Sequence, residues 1–181
     1  MSDSLFSDLS KVGLNMLSDM DLYESDRKDE ELEKKEKALP AGPVEKDFLF
    51  DKGYRCPVCD FEFKAKAVRV GKAKMIGADT DLRPKYQGID SLKYDCIVCN
   101  KCGYSSLSRF FSNITAGQAK LIKTNISPYF KGVDDKCEIY SYDEAILRHQ
   151  LALANAVVKK GKASEKAYTC LKIAWIIRGQ G

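Results

Sequence analysis

Histidine occurs once in this 181-residue chain, as does tryptophan. The single imidazole, His149, lies within an expected helix beside Arg148, and no motif places a serine, cysteine or carboxylate to pair with it. A solvated or core-edge histidine is the simple reading, and nucleophile–base catalysis has no visible centre. Long apolar runs are also missing: the longest span only a few residues, against about 20 needed to cross a bilayer. The opening Met1-Ser-Asp-Ser-Leu-Phe6 is acidic and lacks the basic-then-apolar layout of a signal peptide. The protein is therefore expected in the cytoplasm, without a membrane partner.

Cysteine, by contrast, is plentiful. Of seven cysteines, five (Cys56, Cys59, Cys96, Cys99 and Cys102) fall in Cys-x-x-Cys spacing. In a reducing compartment that spacing reads as metal or redox chemistry rather than a disulfide framework.

A hydrophobic content of 44% suffices for a core, and 31% charged residues is ordinary for a soluble chain. The formal net charge of +4 hides a split. Residues 1–46 hold 7 basic and 12 acidic side chains, whereas residues 47–181 hold 23 basic and 14 acidic. The second part, net +9, would permit contact with nucleic acid or an acidic protein.

Four segments follow from the patterning. In residues 1–23, Phe6, Leu9, Val12, Met16 and Met20 recur at spacings of three and four, a short amphipathic segment. Residues 24–46 are almost wholly charged before Pro40-Ala-Gly-Pro43, and read as a linker. Residues 47–110 hold the cysteine pairs. There Phe61–Ala67 alternates apolar and charged as a half-exposed strand does, residues 71–91 read as loop, and Leu92–Val98 as a second strand. Residues 111–181 are helical. Thr115/Gln118 and Ser141/Glu144 have capping-box spacing, Gly161 is placed for a left-handed stop, and Ser164 can cap the last helix. The stretch 141–178 thus reads as a helical hairpin, close to the roughly 34-residue length of a tetratricopeptide repeat.

The strongest chemical signal is Cys56-Pro-Val-Cys59 with Cys99-Asn-Lys-Cys102-Gly103. Two residues between cysteines let a tight turn aim both sulfurs at one point, and zinc takes four such thiolates in a tetrahedron. Cys56, Cys59, Cys99 and Cys102 are the expected ligands of one structural zinc ion. Gly103 suits the left-handed exit of its turn, a conformation that Asp60 tolerates less well at the first turn. The 39 residues between Cys59 and Cys99 make this a ribbon with an inserted loop. Cys96 overlaps the second pair; it reads as a small buried hydrophobe, with an alternative ligand role left open. Loss of the metal is expected to unfold residues 48–106 more than the helical hairpin.

Other candidates have plain alternatives. Asp79-Thr-Asp81 suits a turn, and could otherwise hold a second metal or serve as acid and base. Lys64, Lys66, Arg69, Lys72 and Lys74, with Tyr54, Phe61 and Phe63 nearby, form either a solvated strand face or a phosphate-contacting one. Cys137, Cys170 and Trp175 read as core.

Tyr54–Cys59, Asp79–Tyr86, Tyr94–Tyr104 and Ala167–Arg178, in that order, resemble an uncharacterised family of bacterial proteins common in clostridia and bacilli, domain of unknown function 2225. The likeness covers roughly residues 48–178. It implies a bacterial cytosolic protein with a zinc-ribbon-like head and a tetratricopeptide-like tail, with the family's paired cysteines at Cys56, Cys59, Cys99 and Cys102 and its acidic loop at Asp79 and Asp81. Cys96 stands where members usually carry an aliphatic residue, and members tend to continue with further helices beyond the Trp-x-x-Arg stretch.

The expected fold is therefore α+β: a small zinc-ribbon-like β region with an inserted loop, followed by a tetratricopeptide-like helical hairpin. The expected function is a protein-interaction adaptor or scaffold with a structural zinc, acting on a protein partner or on itself through the hairpin. Nucleic-acid binding is the alternative, and an enzyme using Asp79 and Asp81 a more remote one.

Overall fold

A computed structural model describes residues 44–180. The expected amphipathic segment 1–23 and most of the linker lie outside the described residues. The end of the expected linker, however, belongs to the folded unit. Glu45 opens a 3-10 turn, Glu45–Phe48, and its carboxylate meets the Lys93 ammonium at 2.7 Å and accepts from the Tyr94 hydroxyl at 2.9 Å. Lys93 is buried and requires such a partner.

Three two-stranded antiparallel sheets follow. Strand β1 (Leu49–Arg55) pairs with β2 (Glu62–Val68), placing Tyr54 opposite Phe63 and Gly53 opposite Lys64. The alternation read from Phe61–Ala67 thus forms a strand, one residue later than expected. Strands β3 (Met75–Ala78) and β4 (Pro84–Tyr86) form a short hairpin inside the segment expected to be loop. Gly77 and Pro84, read as loop formers, sit at β3 and at the start of β4, positions that a short, exposed edge pair tolerates. Strands β5 (Cys96–Val98) and β6 (Ser105–Leu107) flank the second cysteine turn.

The expected strand Leu92–Val98 is only half strand. Ser91–Tyr94 is a 3-10 turn, because the Asp90 carboxylate accepts from the Leu92 amide and holds the chain in a tight bend.

Three helices complete the unit: α1 (Ala116–Asn125), α2 (Tyr142–Val158) and α3 (Ala163–Gln180). Both expected capping boxes form, Thr115 with Gln118 and Ser141 with Glu144. Ser164 does not precede the last helix, which begins at Ala163.

The α2 terminus differs from the expected glycine stop. Lys160, not Gly161, takes the left-handed conformation, at φ 53°. The Gly161 amide donates to the Ala156 carbonyl and the Lys160 amide to that of Val157, the paired bonds of a Schellman motif. Gly161 is needed one position later for space, since a Cβ there would lie 2.7 Å from Glu165 Oε2. Lys160→Gly should therefore stabilise the protein by about 0.5–1 kcal/mol, read as a raised chemical-denaturation midpoint at unchanged slope.

Helix α2 packs its Ala145, Arg148, His149, Ala152, Asn155 and Ala156 face inward and lies against β5, β6 and α3. Cys96 and Val98 share a core cluster with Ala152, while Leu92 shares one with Ala145, Trp175 and Ile176. A further core joins Cys56, Val58, Cys99, Cys102 and Tyr104 to Phe111 and Ile122. Residues on both sides of position 110 thus build the same cores.

Candidate metal centre

Two turns of one design hold the cysteines. In the first, the Cys56 amide donates to the Phe61 carbonyl and the Asp60 amide to the Cys56 carbonyl, each at 2.9 Å. In the second, the Cys99 amide donates to the Tyr104 carbonyl at 2.8 Å and the Gly103 amide to the Cys99 carbonyl at 2.9 Å. Each turn exits through a left-handed residue four positions after its first cysteine, Asp60 at φ 58° and Gly103 at φ 75°. Glycine at the second exit has a further cause. A Cβ on Gly103 would sit 2.6 Å from Phe130 Cγ, so the phenylalanine ring closes directly over the backbone.

The two turns face each other. Cys56 Sγ lies 3.6 Å from Cys102 Sγ, and Cys59 Sγ lies 3.6 Å from Cys99 Sγ. All four ligand atoms lie within 4.8 Å of one another, three from buried residues and the fourth, Cys59, half-buried. Such distances are far beyond the roughly 2.05 Å of a disulfide, and all seven cysteines are free thiols.

The electrostatics of the quartet are in conflict without a cation. Contacts from the Cys102 and Cys56 thiols draw the Cys99 thiol well below the usual range. The neighbouring Cys56 and Cys99 sulfurs, with burial, hold the Cys102 thiol up. Sulfurs this close oppose one another's ionisation, so a bound cation is what would let all four ionise together. The four cysteines can hold a metal ion.

The second turn is fastened to the rest of the unit from three sides. Asn155 of α2 donates from Nδ2 to the Gly103 carbonyl at 3.0 Å. Ser127, just past α1, donates to the Cys102 carbonyl at 2.8 Å. Asn100 donates to the Val133 carbonyl and accepts from the Val133 amide, at 2.8 and 2.7 Å. None of these three side chains stood out in the sequence. Asparagine and serine are common in loops, and only the fold shows which carbonyls they reach.

The other candidates separate from the quartet. Cys96 is buried elsewhere: its thiol bonds the Arg148 carbonyl at 3.1 Å and lies 3.3 Å from Ser105 Oγ, and burial pushes its pKa up to about 12. Cys137 and Cys170 are not core, contrary to expectation. Cys137 is half-buried with its thiol 2.8 Å from Glu144 Oε1, and Cys170 is exposed. The inward face of α3 runs through Thr169, Lys172, Trp175 and Ile176, and this register turns Cys170 outward.

Asp79 and Asp81 are engaged by the last helix. Arg178 reaches Asp79 Oδ2 at 2.6 Å and both Asp81 oxygens at 2.7 and 3.0 Å, and Trp175 Nε1 donates to Asp81 at 2.8 Å. Lys85 adds a 2.7 Å ion pair to Asp79. These bonds bind the acidic loop to the Trp-x-x-Arg stretch, and Trp175 is core as expected, 7% exposed. His149 is fully buried rather than solvated, its Nδ1 2.7 Å from the Ala145 carbonyl, and burial lowers its pKa. Within the basic run, Lys66 pairs with Asp51 and Arg69 donates to the Leu49 carbonyl, so the run is partly neutralised by its own strand.

A family model described as "Uncharacterized protein conserved in bacteria (DUF2225)" matches residues 49–181. No curated protein and no solved structure matches the chain.

Proposed function

We propose that this chain, which belongs to the bacterial family DUF2225, is a non-catalytic binding module closed by one structural zinc ion on Cys56, Cys59, Cys99 and Cys102. The carrying observation is the closed quartet of sulfurs. Zinc at about 2.3 Å from each thiolate sets tetrahedral edges of about 3.8 Å, and the shortest sulfur pairs stand at 3.6 Å. Four protein thiolates leave no position for water or substrate, so the metal's contribution is stability. Engagement of Asp79 and Asp81 by Arg178, and burial of the lone histidine, support a non-catalytic reading. Seven free thiols suit a reducing cytoplasm, and among the described residues no helix is long and apolar enough to cross a membrane.

The module acts as a scaffold through its tetratricopeptide-like hairpin, α2 and α3. Much of the apolar stripe is used internally, against β5, β6 and the Leu92 cluster. An outer set remains: Leu147 and Val157 on α2, Leu171 and Ile177 on α3, each at least 41% exposed. It suits a protein partner or a second copy of the chain.

Native mass spectrometry of protein purified without chelator should find one zinc per chain; a metal-free folded chain overturns the zinc assignment. Retention of a partner or self-association should be lost in Val157→Glu and Leu171→Glu. A strictly monomeric chain that retains no protein overturns the scaffold role.

A further inference from the structure

The first cysteine turn and the β1–β2 ribbon beside it carry a row of three aromatic rings with a lysine at each end. Phe61 follows the turn, 41% exposed. Its ring lies parallel to that of Phe63, at 4° and 6.5 Å between centroids, and Phe63 in turn lies 6.0 Å from the Tyr54 ring. Lysine ammonium groups sit beside the ends of this row, Lys101 at 5.3 Å from the Phe61 centroid and Lys52 at 5.3 Å from that of Tyr54.

Two depressions flank the row. One, of about 400 Å³, is lined by Gly53, Tyr54, Arg55, Glu62, Phe63 and Lys64. The other, of about 590 Å³, joins Phe61 to Asn100, Lys101, Lys131 and Asp134. Lys52, Lys64, Lys101 and Lys131 are exposed, and none has an ion-pair partner among the described residues. Of the acids nearby, Asp60 pairs with Arg55 and Asp135 with Arg148, while Glu62 and Asp134 have no ion-pair partner among the described residues.

We propose that the face formed by Tyr54, Phe61 and Phe63 with Lys52, Lys101 and Lys131 binds single-stranded nucleic acid. The exposed Phe61 ring, with the half-buried Phe63 and Tyr54 rings beside it, receives bases by stacking, and unpaired ammonium groups along the same row receive the phosphates between them. The +9 balance of residues 47–181, about +7 once four thiolates hold a divalent ion, supplies the long-range attraction. An acidic protein would use the lysines but has no need of the ring row, which is why a nucleic acid is favoured. The β1–β2 ribbon is held against the core by Tyr54, Phe63 and Phe111. The face is therefore a firm platform, but the inference rests on the metal reading insofar as the turn must be closed to present Phe61.

The test is fluorescence anisotropy of the full chain, its zinc content checked by native mass spectrometry, with a labelled mixed-sequence single-stranded 12-mer across a salt series. Affinity should fall with salt along a log–log slope of about −2, as for three phosphate contacts at about −0.7 each. Phe61→Ala should weaken binding about 5- to 100-fold with slope and melting temperature unchanged. Lys101→Gln with Lys131→Gln should instead flatten the slope by about 1.4. No binding by the zinc-loaded chain at 50 mM salt overturns the proposal while leaving the metal assignment standing. Binding that polyglutamate displaces equally well and that ignores Phe61→Ala overturns it in favour of an acidic protein. A chain lacking zinc that still binds, with the same Phe61 dependence, upholds the face and removes the metal.

Discussion

Cys99→Ser should release the metal and take most of the cooperative fold with it. Structural zinc in small thiolate sites contributes an apparent 10–16 kcal/mol or so at neutral pH, as much as the whole roughly 5–15 kcal/mol stability of an ordinary domain. The variant should therefore show less than one zinc per chain and a broad, early thermal transition by circular dichroism. The damage should extend past residues 48–106. Asn155 bonds the Gly103 carbonyl, and Cys96 and Val98 pack on Ala152, so α2 rests on the turn that Cys99 and Cys102 anchor. Amide exchange measured by mass spectrometry should accelerate across 142–158 as well as around the cysteines. A variant that keeps sharp unfolding and protected α2 amides would show that packing alone holds the quartet together.

Glu165→Ala should cost about 3–5 kcal/mol, or roughly 10 °C in melting temperature, by stranding a buried cation. Lys159 is 1% exposed in its side chain and lies 2.7 Å from the Glu165 carboxylate, itself 12% exposed. Ser106 donates to the same carboxylate at 3.3 Å, and the Lys159 ammonium lies 5.6 Å from the Tyr104 ring centroid. Without Glu165 the ammonium must find water from inside the core or drag the α2–α3 connection apart. Lys159→Met combined with Glu165→Gln should recover much of the loss, because a methionine of similar length asks for no counter-charge. Denaturant melts of the two single variants and the double variant give the coupling directly. A loss below about 1 kcal/mol in Glu165→Ala would mean that the lysine escapes to solvent.

The cysteine quartet was legible because its information is local. Two residues between cysteines define a turn wherever it is placed, and two such turns need only face each other. The capping boxes at Thr115 and Ser141 were legible for the same reason, each closing within three residues. What could not be read depends on distant partners. The loop reading of 71–91 missed β3 and β4, four and three residues long, since such short strands carry no periodic signal. The bend at Ser91–Tyr94 turned on one Asp90 side chain overruling an apolar run. Nothing in the sequence marks Lys93, Lys159 or Lys172, yet each is buried against a carboxylate, Glu45, Glu165 and Asp95 respectively. A lysine's sequence neighbours say nothing about an acid that the fold brings to it. The outer face of α3 shows the same limit, since only the helix's rotation decides that Thr169 is inside and Cys170 is out.

The grip of Arg178 and Trp175 on Asp79 and Asp81 also bears on how the chain matures during synthesis. The joined residues are 94 to 99 positions apart. At about 5–20 residues per second, their emergence from a ribosome is separated by about 5–20 s. In that interval Lys85 is the cation at hand for Asp79, while both cysteine turns are already complete by Cys102. Capture of a metal by the proposed quartet can thus precede this latch, and a nascent chain would carry an open acidic loop on an otherwise closing β region. Helix α3 then closes the acidic loop: its arginine arrives only when α2 and most of α3 have been made.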